Sequence, residues 1–223
     1  ERKPLGIIFL GGSREDFSED TSSFKVPCVI VTTSAENWSM EELSSVSVDD
    51  EKAGETIVDY LIDHGHTKIA EIGANLELSQ TAILRHNGYL NSLKKHGITP
   101  DERYYERARF SYDSAYRAMK KLLEKDIEIT AVYAISDVMA IGAIRAILDK
   151  GLRVPEDISI TGFDGSTLAE YYNPKIVSIR QPHKDMAARS VELLFNMIDL
   201  HKGSCHEIIP FELTEGESVA RID

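Results

Sequence analysis

Apolar residues gather in five short runs along the chain: Leu5–Leu10, Val29–Val31, Ile69–Ile72, Ala131–Ile135 and Ile158–Thr161. The runs are short, β-branched and bounded by turn formers, the first ending in Gly11-Gly12-Ser13. Such runs read as strands buried on both faces, as in parallel sheets. Between them the apolar positions repeat at helical spacing. Ile57, Leu61 and Ile62 share a face, as do Ala115, Met119, Leu122 and Leu123, and then Val191, Leu194, Phe195 and Ile198. Strand alternating with helix predicts a doubly wound α/β fold. The segment Val138–Leu148 stands apart, with Met139, Ile141, Ile144 and Leu148 on one side and Ala140, Ala143 and Ile147 on another. That breadth predicts burial on more than one face, under neighbouring helices or against a second subunit.

The stretch Ser34–Ser47 is polar, rich in Ser and Glu, and reads as a linker ahead of Val48-Asp49-Asp50. A lobe boundary is expected close to Asp49. Farther on, the strand-like run Ile176–Ile179 leads into Gln181-Pro182, and Pro suits the first turn of a helix, so a second crossing is expected near Pro182. A length of 223 residues, against about 150 per domain, is consistent with one large domain or two small lobes. With 42% hydrophobic and 28% charged residues the chain falls in the globular range. The net charge of −12 repels phosphate, which makes this chain alone a poor grip for nucleic acid. No apolar run approaches a membrane span, and Glu1-Arg2-Lys3-Pro4 is not a signal peptide. Cys28 and Cys205, far apart, suit a reduced, cytoplasmic protein.

In open parallel sheets ligands bind beyond the carboxyl ends of the strands, so the residues following each run carry the functional argument. These are Thr32-Thr33, Ser136-Asp137, Gly162-Phe163-Asp164-Gly165 and, after the short segment Ala108-Arg109-Phe110, Ser111-Tyr112-Asp113. Carboxylates that accept from hydroxyls, an arginine fork and an aromatic face together suit a polyhydroxylated ligand. Simpler roles exist for each: Ser136 and Asp137 as helix caps, Asp164-Gly165 as a turn, Phe110 as core, and Arg85 as a solvated surface charge. Catalytic signatures are thin. No nucleophile elbow, P-loop or dinucleotide fingerprint occurs, so no enzyme and no cofactor is expected. His64 and His66 flank a glycine at a helix end, where a positive imidazole would suit the dipole. His201, Cys205 and His206 lack a fourth ligand at recognisable spacing, so no metal is expected and they read as an exposed loop around Gly203.

The stretch Gly151-Leu152-Arg153-Val154-Pro155-Glu156-Asp157-Ile158-Ser159-Ile160-Thr161-Gly162-Phe163-Asp164 resembles the signature of the LacI/GalR family of bacterial transcription regulators. Val48-Asp49-Asp50 with Ala53-Gly54, Gly65–Ala70, Arg85-His86-Asn87-Gly88-Tyr89, Ser136–Gly142, Ile179–Pro182 and Glu215–Val219 follow in the family's order, over nearly the whole chain. The resemblance implies two Rossmann-like lobes with parallel sheets, of the periplasmic-binding-protein-like type, holding a small effector in a cleft. It divides the chain into an N-terminal lobe, 1–48 plus 182–206, and a C-terminal lobe, 49–181 plus 207–223. It places Thr32, Arg85, Phe110, Ser136, Asp164, Gln181 and His183 at effector-binding positions. Ser136 stands where the family usually carries Asn or another polar contact, and serine is shorter than Asn and offers one hydroxyl in place of an amide. Met139, Ile144, Ile147, Tyr171 and Pro174 fall on surfaces that pair subunits, so a homodimer is implied.

Family members bind operator DNA through an N-terminal helix-turn-helix, and this chain does not contain one. It starts at what resembles the second strand of the first lobe. A missing opening strand and helix would leave unpaired backbone groups, so the chain is expected to be a fragment or to have lost its start to cleavage or disorder. The function implied is the effector-sensing, dimerising core of a repressor that answers to a sugar, a sugar phosphate or a nucleoside. The alternative is an exported sugar-binding protein that serves a transporter.

Overall fold

The computed structural model describes residues 4–12, 26–38 and 40–222. Glu1, Arg2, Lys3 and Ser13 of the sequence arguments lie outside them, as does Ser39 within the linker-like stretch. In chain order the elements are β1 (Ile7–Leu10), β2 (Cys28–Val31), β3 (Leu43–Ser47), α1 (Asp50–Asp63), β4 (Ile69–Gly73), α2 (Gln80–Lys95), β5 (Tyr105–Arg107), α3 (Tyr112–Glu124) and β6 (Ala131–Ala134). They continue with α4 (Asp137–Asp149), β7 (Ser159–Asp164), α5 (Thr167–Tyr171), β8 (Val177–Arg180), α6 (His183–Leu200), β9 (His206–Ile208) and β10 (Glu212–Thr214). The architecture is α/β with parallel-dominated sheets, as the apolar runs predict. Among the described residues no helix is long and apolar enough to cross a membrane.

The chain divides into two units, Glu1–Asp49 with Pro182–Phe211, and Asp50–Gln181 with Glu212–Asp223. The first unit carries a parallel sheet in the order β1-β2-β3-β9. Its core gathers Cys28, Ile30, Ala35, Trp38 and Leu43. The stretch expected to be a linker ends in β3, whose five residues are all buried. Three of them are serines, which hid the strand, yet two of those hydroxyls are paired: Ser44 Oγ accepts from Cys205 N (3.0 Å) and Ser45 Oγ pairs with His206 Nδ1 (2.9 Å). His206 therefore opens a strand and is not part of an exposed loop. Because β9 pairs with β3, the first unit runs on to Phe211, past the crossing expected at 206. On α6 the buried face is Met186, Ser190, Leu193 and Met197, while Val191 and Phe195 are exposed. The apolar spacing pointed to the neighbouring face because the buried one includes a serine, whose Oγ is satisfied by Ala187 O.

The second unit is built on a six-stranded sheet, β10-β8-β7-β6-β4-β5, parallel except for β10. Successive side chains of a strand face opposite ways. Phe163 of β7 lies under Arg85 of α2, and its neighbour Gly162 meets Asp137 of α4. The pair α1 and α2 thus covers one face, and α3 with α4 the other. Helices α1 and α2 touch backbone to backbone: a Cβ at Gly88 would stand 2.2 Å from Glu51 O, and one at Gly54 2.7 Å from Arg85 O. Only glycine allows that approach, and it carries Arg85 inward. Helix α4 is buried by its own unit, since Met139, Ile144 and Ile147 are fully covered and only Arg145, Leu148 and Asp149 are exposed along its outer turns. Met139, Ile144 and Ile147 therefore pack in the core and cannot form a subunit contact, which corrects that expectation. Tyr171 stands 82% exposed and Pro174 is partly exposed.

Candidate functional site

The strand ends of the second unit converge on Arg85. Its Nε donates to Asp50 Oδ1 (2.8 Å), the first residue of α1, and its Nη1 donates to Ile135 O (2.6 Å) just beyond β6. The guanidinium lies 3.5 Å from the centre of the Phe163 ring, a cation–π contact. Nη1 also stands 3.9 Å from Asp164 Oδ1. Arg85 is 3% exposed, so the surface-charge reading fails. Burial opposes its charge, but Asp50 and Asp164 outweigh it and keep the guanidinium ionised. Among the described residues no protein acceptor is bonded to Nη2.

Asp164 closes β7 with φ +114°, a left-handed conformation that is costly for any residue but glycine. Such strain persists where surrounding contacts hold it, and it clusters at ligand clamps. The holding contacts are clear. Gln181 donates from Nε2 to Asp164 Oδ1 (2.8 Å) and from its backbone N to Asp164 O (3.1 Å). Burial pushes the Asp164 carboxyl up to about 6, against the pull of Arg85 and helped by the charge of Asp137. Unlike Arg85 and Asp50, the Asp164 side chain stays 31% exposed.

Asp137 is more than a cap. Its Oδ1 accepts from Ser178 Oγ (2.6 Å) and its Oδ2 from Ser166 N (2.6 Å), while Ser178 Oγ accepts from Gly165 N (3.1 Å). The loop that presents Asp164 is thereby tied to α4 and β8. Burial raises the Asp137 carboxyl, and these donors oppose the rise. Ser136 does serve as the N-cap of α4, accepting from Met139 N. Beneath Arg85, Glu71, Tyr133 and Thr161 lie in register across β4, β6 and β7. Glu71 Oε1, Tyr133 OH and Thr161 Oγ1 are buried without partners among the described residues. Glu71 Oε2 pairs with His86 Nδ1 (2.6 Å). Burial raises the Glu71 carboxyl; burial depresses His86, but Glu71 prevails and raises it.

The structure thus brings Arg85, Ser136, Asp164 and Gln181 together. Phe110 lies farther along the rim. Strand β5 is Tyr105–Arg107, so Ala108-Arg109-Phe110 is the loop after it, anchored by Ala108 N to Gly73 O (2.8 Å). Phe110 is 46% exposed and is not core. It lines a cavity of about 510 Å³ with Asn75, Ser79, Arg107, Arg109 and Ser114. Thr32 and His183 belong to the first unit, Thr32 beyond β2 at φ +73° and His183 opening α6. Among the described residues no His, Cys, Asp and Glu cluster could hold a metal ion. His66 is buried, pairs with Thr130 Oγ1 and Ala220 O, and is depressed by burial, so it is a neutral structural group and not a positive helix-end charge. Sequence reasoning missed Asp50, the packing of Arg85 on Phe163 and the Glu71–Tyr133–Thr161 row. Only Asp50 left a signal, as an acid in the first turn of a helix.

A family model described as a periplasmic binding protein-like domain matches residues 58–219. The regulator MalR of Clostridium butyricum is 38% identical over 224 residues, all of this chain and 67% of that protein. The chain belongs to the LacI/GalR family. Catabolite control protein A of Priestia megaterium is 36% identical over 85% of this chain and 56% of its own length. A solved LacI/GalR relative, the regulator CelR in complex with cellobiose, superposes with a TM-score of 0.87 at 30% identity, over 96% of this chain and 65% of that one. The chain therefore spans between about half and two thirds of these LacI/GalR proteins. They are transcriptional regulators and not enzymes, which favours the regulator over a transporter's binding protein.

Proposed function

We propose that this chain is the effector-sensing core of a DNA-binding regulator, and that a hydroxyl-rich small molecule of the sugar class binds at the strand ends of the second unit. One observation carries the reading: Asp164 combines strained backbone, an oriented carboxylate and partial exposure beside a buried arginine. An ionised carboxylate fixed in this way accepts from paired sugar hydroxyls. The guanidinium's Nη2 supplies a donor, and the Phe110 face covers ring C–H bonds. The cellobiose complex of a 30%-identical relative supports a saccharide.

A regulator of this kind acts inside the cell, as a homodimer, on operator DNA reached through a segment outside this chain. Tyr171 and Pro174 remain our proposed subunit contacts, with the exposed Leu148 and Leu168 taking the place of the buried α4 residues. A switch requires only that effector favour one conformation by about 1–3 kcal/mol. The test is calorimetric titration with cellobiose and maltose. Binding that is lost in Asp164→Ala, with the melting transition retained, is the expected result. Unchanged affinity in that variant removes Asp164 from the site.

A further inference from the structure

The cavity beyond β4 and β5 differs in charge from the rest of the site. Its lining holds two arginines, Arg107 and Arg109, and no carboxylate. Both arginines are exposed, and among the described residues neither guanidinium meets an acid. This occurs in a chain with 37 acidic and 25 basic residues, and three of the nearby acids are committed elsewhere. Glu106, next to Arg107 in β5, turns to Lys125 (2.9 Å) and Lys121 (3.8 Å) of α3. Asp113 pairs with Arg117 (2.6 Å), and Asp101 with Arg103 (2.7 Å). The fold pairs these neighbouring cations with acids, while among the described residues Arg107 and Arg109 form no ion pair.

We propose that the effector is a phosphorylated sugar whose phosphate docks on Arg107 and Arg109. This rests on the sugar-class reading above and adds a charge and a direction to it. Two adjacent guanidiniums match a dianionic phosphate, which accepts bidentate, charge-assisted hydrogen bonds. Phe110, beside them, offers its face to the sugar ring bearing the phosphate. The hydroxyls of the remote end fall to Asp164. Between β7 and β5 lie three strand spacings, about 14 Å at 4.7–4.9 Å each, a span that favours a phosphorylated disaccharide over a single sugar ring.

The experiment is calorimetry with two matched pairs, maltose and maltose 6′-phosphate, and cellobiose and cellobiose 6′-phosphate. The phosphorylated member of at least one pair should bind tenfold or more tightly than its neutral partner, and the margin should shrink as salt rises. Arg107→Gln with Arg109→Gln should abolish that margin and leave the affinity for the neutral sugar and the melting temperature unchanged. Equal binding of neutral and phosphorylated forms overturns the phosphate and leaves the sugar reading standing. A margin that survives in the double variant overturns the assignment to these arginines. Binding by none of the four sugars overturns both proposals.

Discussion

At the β7 end of the second unit's strand-end row, Arg85 is locked by Asp50, Ile135 O and Phe163, and Asp164 is held by Gln181. At the β5 end, Arg107 and Arg109 carry the same charge with no ion pair among the described residues. The first arginine has its counter-charge inside the fold, so removing it leaves a buried acid exposed to the full cost of desolvation. The other two have no ion pair among the described residues, so on the phosphate proposal a change there is felt by the ligand and not by the fold. Position within one site therefore decides whether an arginine serves folding or recognition.

The sharpest way to break this contrast is to remove the charge at each end. Arg85→Leu takes the counter-charge from the buried Asp50 and should cost about 3–5 kcal/mol of stability in urea unfolding. The double change at Arg107 and Arg109, both solvent-exposed, should stay within about 0.5 kcal/mol of the parent. Similar losses at the two ends would dissolve the distinction.

A milder change probes how tightly the β7 end is built. The ideal Cβ of an alanine at 162 would sit 2.3 Å from Asp137 Oδ1, the oxygen that accepts from Ser178. Gly162→Ala should therefore cost about 1–3 kcal/mol through overpacking. It should also loosen the loop that presents Asp164, seen as faster amide exchange at Gly165 and Ser166. A loss confined to stability, with exchange at those two amides unchanged, would separate Asp137 from the positioning of the site.

The same contrast explains what the sequence could reveal. The parallel sheets were legible because buried strands write continuous apolar runs. Asp164 was legible because a ligand site in such a sheet lies at strand ends, whatever the ligand is. The burial of Arg85 was not, because its partner stands 35 residues away and meets it only through the glycine-lined contact of α1 with α2. Glu71, Tyr133 and Thr161 form a row only once register is known, and register leaves no mark in spacing. Strand β3 was hidden because its serines find partners in His206 and Cys205, on a distant segment. Arg107 and Arg109 look like any surface arginines until the commitments of Glu106, Asp101 and Asp113 are known.

One change at the β7 end is expected to be a gain. Burial holds the Asp164 carboxyl at about 6 in the folded chain, against about 3.9 when unfolded. Between those values the folded state binds more protons than the unfolded one, so this group makes stability fall as pH rises from 4 through 6. At pH 7 the ionised carboxylate is thus a net cost, tolerated for recognition. Asp164→Asn removes that cost and can keep an oxygen for Gln181, so it should stabilise the chain by about 1 kcal/mol at pH 7, the increment usual when a strained functional group is relieved. The gain should vanish near pH 4, where the parent is already neutral. Sugar hydroxyls donate best to the ionised form, so effector affinity in the parent should weaken as pH drops below 6 and lose that dependence in the variant. Melting curves at pH 4 and pH 7 decide the point, for a gain of equal size at both would mean that the carboxylate's ionisation carries no cost. Asp164 would then belong with the uncompensated charges of the β5 end, and not with the buried network around Arg85.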